Sequence, residues 1–438
     1  EYTTIYDRIQ VPPPTLCPQG RAQRRMAWWN EHNLYRKTPA PSGAGSASTP
    51  IFSTYPEHAP VKIYDHDYWW SDAWDPLDYG RDYDFSRPFF EQFRELMIVV
   101  PKPSREIKSL LNSDYSDNSS HLKNCYLCFD SDFNENCMYS TYFRHSKDTF
   151  DVINSAHCEL CYELISVERS FQCFFSLNLH DCRNVWFSRD CEDCDHCFGC
   201  ANLRHKQYYI FNEPYTKKEY EKKIEDMNLG SYQFLQAAKE KAYDSWKQFP
   251  VRFMHGRLNK NVSGDYIENC KNVLQCFETY DCQEVRYSQR MVNGTTDAYD
   301  STSWGDNSSL TYETVVCGEN NRNLKFCANC WPGNQDLEYC MGCHSSSNLF
   351  GCIGLRKKEF CILNKQFDKA SFEKIKEKII VNMKRDQEYG EFFPASMSPL
   401  AYNETVAIDY FPLTKEEAIK QGFAWRDPEA KEFKITML

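Results

Sequence analysis

No run of eighteen or more apolar residues occurs in this 438-residue chain, so no membrane-spanning helix and no membrane partner is expected. No apolar h-region follows Glu1, so no signal peptide is expected, and the missing initiator Met points to a trimmed start. Excess positive charge is also missing. The 51 Lys and Arg stand against 62 Asp and Glu, and a net charge of −11 argues against a protein that coats nucleic acid non-specifically. No GxSxG, HExxH or P-loop is found. His157 and His196 stand directly beside Cys158 and Cys197, so on a strand their side chains diverge from the thiols. These absences make a cytoplasmic chain the expectation and put enzyme activity last among its readings.

What the chain has is cysteine: 22 of them. Their placement is more informative than their number. Written from Cys125 in rows of twelve, the row heads are Cys125, Cys137, Thr149, Cys161, Cys173, Val185, Cys197 and Tyr209. The second column then reads Tyr126, Met138, Phe150, Tyr162, Phe174, Trp186, Phe198 and Ile210. A second array runs through Val273, Val285, Asp297, Thr311, Leu324, Leu337, Leu349 and Cys361, with one- or two-residue insertions between Asp297 and Leu337. The arrays end alike, Phe198-Gly-Cys-Ala-Asn-Leu-Arg204 against Phe350-Gly-Cys-Ile-Gly-Leu-Arg356, at an offset of 152 that Asn212 and Asn364 keep. A short fixed period of this kind means a solenoid. The fold class is therefore mainly β: two tandem β-solenoid (β-helix) arrays of twelve-residue coils with helical caps, an internal duplication. About eight coils per array at ~4.8 Å each would make each ~38 Å long.

The array cysteines fall only in columns 1, 4, 7 and 10, as an inward residue at every third position requires. Column 6 supplies turn residues in the first array, among them Asp130, Asn154, Asn178 and Asp190. Three chemical readings of the cysteines stand side by side. They are small reduced hydrophobes, structural disulfides, or a thiolate site that takes zinc as cofactor. Two places suit the zinc reading: Cys327 and Cys330 stacked on Cys340 and Cys343, and the dense run Cys191, Cys194, Cys197 and Cys200. The coil repeat, however, produces C-x-x-C spacing without any metal.

Around the arrays, residues 38–50 read as a flexible Pro/Ser/Gly/Ala linker, and residues 64–93 as an aromatic and acidic segment that covers solenoid surface. Thr216 opens a helix with a capping box, a second helix spans about 231–248, a third starts at Asp368, and Thr414 opens a last one. The domain boundaries are then 1–50 (ribbon-like segment and linker), 51–110 (clasp), 111–215 (first solenoid), 216–250 (helical connector), 251–367 (second solenoid) and 368–438 (C-terminal helix and clasp).

The run Val11-Pro-Pro-Pro-Thr-Leu-Cys-Pro-Gln-Gly-Arg-Ala-Gln-Arg-Arg25 resembles the second half of a small zinc ribbon, P-x-x-L-C-P-x-C-R-x-x-R, with Gly20 standing where a cysteine belongs. With it go Trp74-Asp-Pro-Leu-Asp-Tyr-Gly-Arg81, Arg87-Pro-Phe-Phe-Glu-Gln-Phe-Arg-Glu95, Glu391-Phe-Phe-Pro394 and Ser398-Pro-Leu-Ala-Tyr-Asn-Glu-Thr405. Together they resemble an uncharacterised Cys-rich repeat family of candidate-phylum bacteria with zinc-ribbon termini, some relatives of which carry a CaiB/BaiF transferase label. The resemblance brings no established activity, and no Rossmann glycine pattern supports the label.

Three functions follow in order. The first is a non-enzymatic binding scaffold with a protein partner or self-association. The second is a nucleic-acid or ribosome-associated factor using Arg21, Arg24 and Arg25 for phosphate contacts. The third is a thiolate metal-binding protein.

Overall fold

The computed structural model describes residues 3–40 and 49–427; most of the linker expected at 38–50, and the end of the chain from 428, lie outside the described residues. The chain divides into two compact units, Arg105–Phe253 and a second made of Glu1–Ser104 with Met254–Leu438. Each unit is built on one solenoid. Together they make about 21 turns in two 12-stranded sheets whose strand order follows the sequence. That is more than eight coils per array, because strands at Ile107–Leu111 and Ser116–Lys123 precede the first array's Tyr126, and Gly256–Arg257 and Lys260–Glu268 precede the second's Lys271.

In the first array the parallel register advances by twelve at every step, as in Tyr126↔Met138, Met138↔Phe150 and Phe150↔Tyr162. The second array differs from the sequence-based rows. Its register advances by thirteen through Val285↔Ala298, Ala298↔Thr311, Thr311↔Leu324 and Leu324↔Leu337, then returns to twelve. The row head is therefore Ala298, fully buried, and not Asp297, which sits on a corner with φ 51°.

Each coil is four-cornered. Left-handed residues recur every third position, as at Leu127, Asp130, Phe133 and Asn136 (φ 51°, 48°, 57° and 56°), so column 6 is one of four turn columns. Asn, Asp and His tolerate this conformation best, and stacking along the axis stabilises the corners that hold other residues. One corner carries an amide ladder, Asn112 to Asn124 to Asn136 at 3.1 Å per step and Asn136 to Asp148 at 2.9 Å. Another carries near-parallel rings, His121, Phe133, His145 and His157, with centroids 4.5, 5.1 and 4.9 Å apart.

The offset of 152 marks a shared terminator. Asn212 accepts from Ala201 N–H at 2.8 Å and donates to Ala201 O at 2.9 Å, and Asn364 does the same to Ile353 at 2.8 Å both ways. Each carboxamide thus supplies the donor and acceptor that a further coil would have offered. The chain then folds back antiparallel, and a helix follows: Lys217–Glu225 with its Thr216 capping box, and Lys369–Arg385 with Asp368 as N-cap.

The two units cover their arrays differently. In the unit of the first array, Tyr220, Ala238, Ala242 and Trp246 of the Lys217–Glu225 and Tyr232–Trp246 helices cover Phe187, Phe198 and Ile210. The 64–93 segment belongs to the unit of the second array and covers that array. Phe89 packs on Tyr339 and Phe350 at 5.3 and 5.4 Å, and Trp69 and Trp70 enclose His344 at 5.5 and 4.7 Å. Gly80 passes so close to Asn364 that a Cβ there would meet the Asn364 carbonyl oxygen at 2.6 Å.

Candidate functional site

The lumens come first, because they hold 21 of the 22 cysteines; only Cys17 is exposed, and all 22 are free thiols. The inward positions must be small, and they must also satisfy backbone carbonyls in a dry interior. A thiol does both. Cys128 Sγ donates to Tyr126 O at 3.7 Å and to Cys137 O on the next coil at 3.3 Å, and Cys327 repeats this with Lys325 O and Leu337 O at 3.3 and 3.6 Å. Serine in the same columns is equivalent. Ser140 donates to Met138 O at 2.8 Å and accepts from Val152 N–H at 3.2 Å.

Cys327, Cys330, Cys340 and Cys343 are all fully buried, and burial pushes all four thiols well above their ordinary range. In the other run, Cys194 touches Cys182, Cys191 and Cys197, and Cys197 touches Cys200. Zinc needs thiolates converging on one point at about 2.3 Å. Cys327 with Cys340 and Cys330 with Cys343 stack in two adjacent columns, Cys191, Cys194, Cys197 and Cys200 take successive sides around the lumen, and each thiol is directed at a backbone carbonyl. Among the described residues, no group of three or more His, Cys, Asp or Glu is arranged to hold a metal ion.

Arg21, Arg24 and Arg25 lie on the helix Pro18–Met26, which occupies the place of a ribbon knuckle and begins with Pro18 at its first turn. The three guanidinium groups turn inward. Arg21 Nη2 bonds Asp300 Oδ2 at 2.8 Å, and Arg24 bonds Glu313 Oε1 at 2.7 Å and Glu391 Oε2 at 2.6 Å. Arg25, fully buried, lies 3.5 Å from Glu313 and 3.8 Å from Asp300. Burial raises the Asp300 carboxyl and pushes Glu313 up to about 7, against the pull of the arginines, while burial lowers Arg25. A phosphate could reach these groups only by displacing carboxylates, so the arginines here fix an arm to the second solenoid. Sequence reasoning missed Asp300, Glu313 and Glu391. The available signal was a pair of acids at the same corner of consecutive coils.

The outer surface differs between the arrays. Nine large hydrophobic side chains are exposed between Leu111 and Ile165, and among the described residues none is exposed from 278 to 366. The exposed group includes Tyr126 (37 %), Tyr139 (53 %), Ile153 (42 %), Tyr162 (38 %) and Ile165 (48 %). The second-column aromatics therefore do not form one uniform ladder. Phe198 is buried under the connector helices, Phe174 and Trp186 are half-buried 4.2 Å apart, and Tyr126 and Tyr162 are open. A shallow concavity of 510 Å³ lined by Phe85, Glu377, Lys378 and Val381 brings together no catalytic set. No helix of the described residues is long and apolar enough to cross a membrane. Neither a family model, nor a curated protein, nor a solved structure matches this chain.

Proposed function

We propose that this protein is a non-enzymatic binding scaffold whose partner-facing surface is the open strip of the first solenoid. One observation carries the reading: among the described residues, nine exposed large hydrophobics between Leu111 and Ile165 of one array, against Phe277 alone over the matching residues 259–315 of the other. Six of the nine, Tyr115, Tyr126, Tyr139, Ile153, Tyr162 and Ile165, lie in columns 2, 3 and 5 on either side of one corner, and a chain rarely leaves an apolar strip of this kind uncovered unless something binds it. The chemically reactive groups support the same reading, because thiols and arginines are taken up by carbonyls and carboxylates within the fold.

The test is affinity capture from the protein's own cells with three baits: the native chain, an Ile153→Asp/Ile165→Asp variant, and a Phe277→Asp control on the other array. The expected result is a stoichiometric protein retained by the first and third baits and lost with the second. Identical capture by all three would contradict the assignment of the strip.

A further inference from the structure

The internal duplication extends to the corner formed by the third column. Matching coils from the shared Phe198 and Phe350 end, the first array places Tyr139, Asp151, Glu163 and Phe175 where the second has Tyr287, Asp300, Glu313 and Phe326. All eight are left-handed corner residues. The second-column neighbours agree as well, Phe150 and Tyr162 matching Tyr299 and Tyr312.

In the second array this corner is the seat of the Pro18–Met26 helix. Arg21 lies over the Tyr287 ring at 5.7 Å and bonds Asp300, Arg24 bonds Glu313, and Tyr6 of the same arm packs edge-on against Tyr299 and Tyr312 at 6.3 and 5.3 Å. The spacing is matched physically. Arg21 and Arg24, three residues apart on a helix, are separated by ~4.5 Å of rise, close to the ~4.8 Å between the coils that hold the two acids.

In the first array the same constellation is open. Asp151 is exposed, Tyr139 and Tyr162 are 53 % and 38 % exposed, and Lys239 of the connector helix reaches only as far as Glu163. Building on the proposed scaffold function, we propose that the Tyr139–Asp151–Tyr162–Glu163 corner is a docking site for a helix of a partner protein. That helix carries arginines three residues apart and seats as Pro18–Met26 does on the second array. The chain's own helix is a poor source for a second copy, because withdrawing Arg21, Arg24 and Arg25 together would leave Asp300 and Glu313 buried without their counter-charges.

The probe is a fluorescent peptide with the sequence of residues 9–30, titrated into the full chain and followed by anisotropy. Saturable one-to-one binding is expected. It should weaken at least tenfold with Asp151→Lys in the chain or Arg21→Glu in the peptide, and stay unchanged with Phe277→Asp. Asp151→Asn, which keeps the left-handed preference of the corner, should weaken it in the same direction and guards against misfolding of the Lys variant. Absence of saturable binding, or binding that survives Asp151→Lys, overturns the proposal. Sedimentation is expected to show a monomer; self-association abolished by Asp151→Lys would assign the corner to a second copy and overturn the hetero-partner. A captured protein lost with Ile153→Asp/Ile165→Asp, alongside a peptide that fails to bind, would leave the scaffold reading standing and remove the arginine-helix class.

Discussion

The two solenoids repeat one coil and one terminator, yet the second is covered by an arginine-bearing arm and an aromatic clasp while the early coils of the first are bare. The difference lies outside the repeat. Both arrays carry the corner sequence Tyr–Asp–Glu–Phe on successive coils, but only in the second are its acids fully buried against Arg21, Arg24 and Arg25. The same corner thus serves as core in one array and as surface in the other.

The largest effect expected from breaking this contrast is on the arm. Arg25→Ala should destabilise the unit that contains it by about 3–5 kcal/mol, because two carboxylates then stay buried without it. Urea unfolding measures this, and a change below about 1 kcal/mol would mean that the arm does not hold the array. Within the first array, one column supplies a matched pair. Phe198→Ala, under the connector helices, should cost about 3–5 kcal/mol. Tyr126→Ala, on the open strip, should stay within about 0.5 kcal/mol. Equal losses at the two positions would show that the strip is covered after all.

A pH series sharpens the contrast further. Glu313 has its carboxyl raised to about 7 in the fold by burial, so the native state holds its proton more tightly than the unfolded chain. The resulting stabilisation is fully present below the ordinary value of 4.5 and is lost as pH rises through about 7, a swing of about 3 kcal/mol at most. Replacing Glu313 with Gln should remove that slope from the pH dependence of the urea midpoint; an unchanged slope would place the titration elsewhere.

The period of twelve and the inward columns were legible because a narrow lumen permits only small side chains at every third position, and cysteine marks those positions. The capping boxes at Thr216 and Thr414 were legible because they are local. The thirteen-residue coils were misplaced because an extra residue at a corner leaves the inward pattern nearly unchanged, so Asp297 and Ala298 competed for one row head. The fate of Arg21, Arg24 and Arg25 could not be read, since Asp300 lies 279 residues from Arg21 and nothing local joins them. The cysteine clusters suggested zinc because C-x-x-C is also the spacing of two adjacent sides of the coil.

The smallest effects are expected in the lumen, where chemistry matters less than size. Cys128→Ser, between Ser116 and Ser140 of the same column, should cost about 1 kcal/mol, whereas Cys128→Leu should cost about 1–3 kcal/mol or more through overpacking. A thiol reagent applied to the native chain should modify Cys17 alone, the remaining 21 reacting only on unfolding. Rapid modification of Cys137 or Cys173 in the native state would contradict inward-facing columns.

The most direct test of the contrast between the arrays is carbene footprinting of the whole native chain, read residue by residue by mass spectrometry. Tyr126, Tyr139, Ile153 and Ile165 should label as freely accessible side chains, while Tyr312, Tyr339 and Phe350, all fully buried, should label only after unfolding. Equal protection of the two groups would contradict an open first array, and with it the surface on which the proposed function rests.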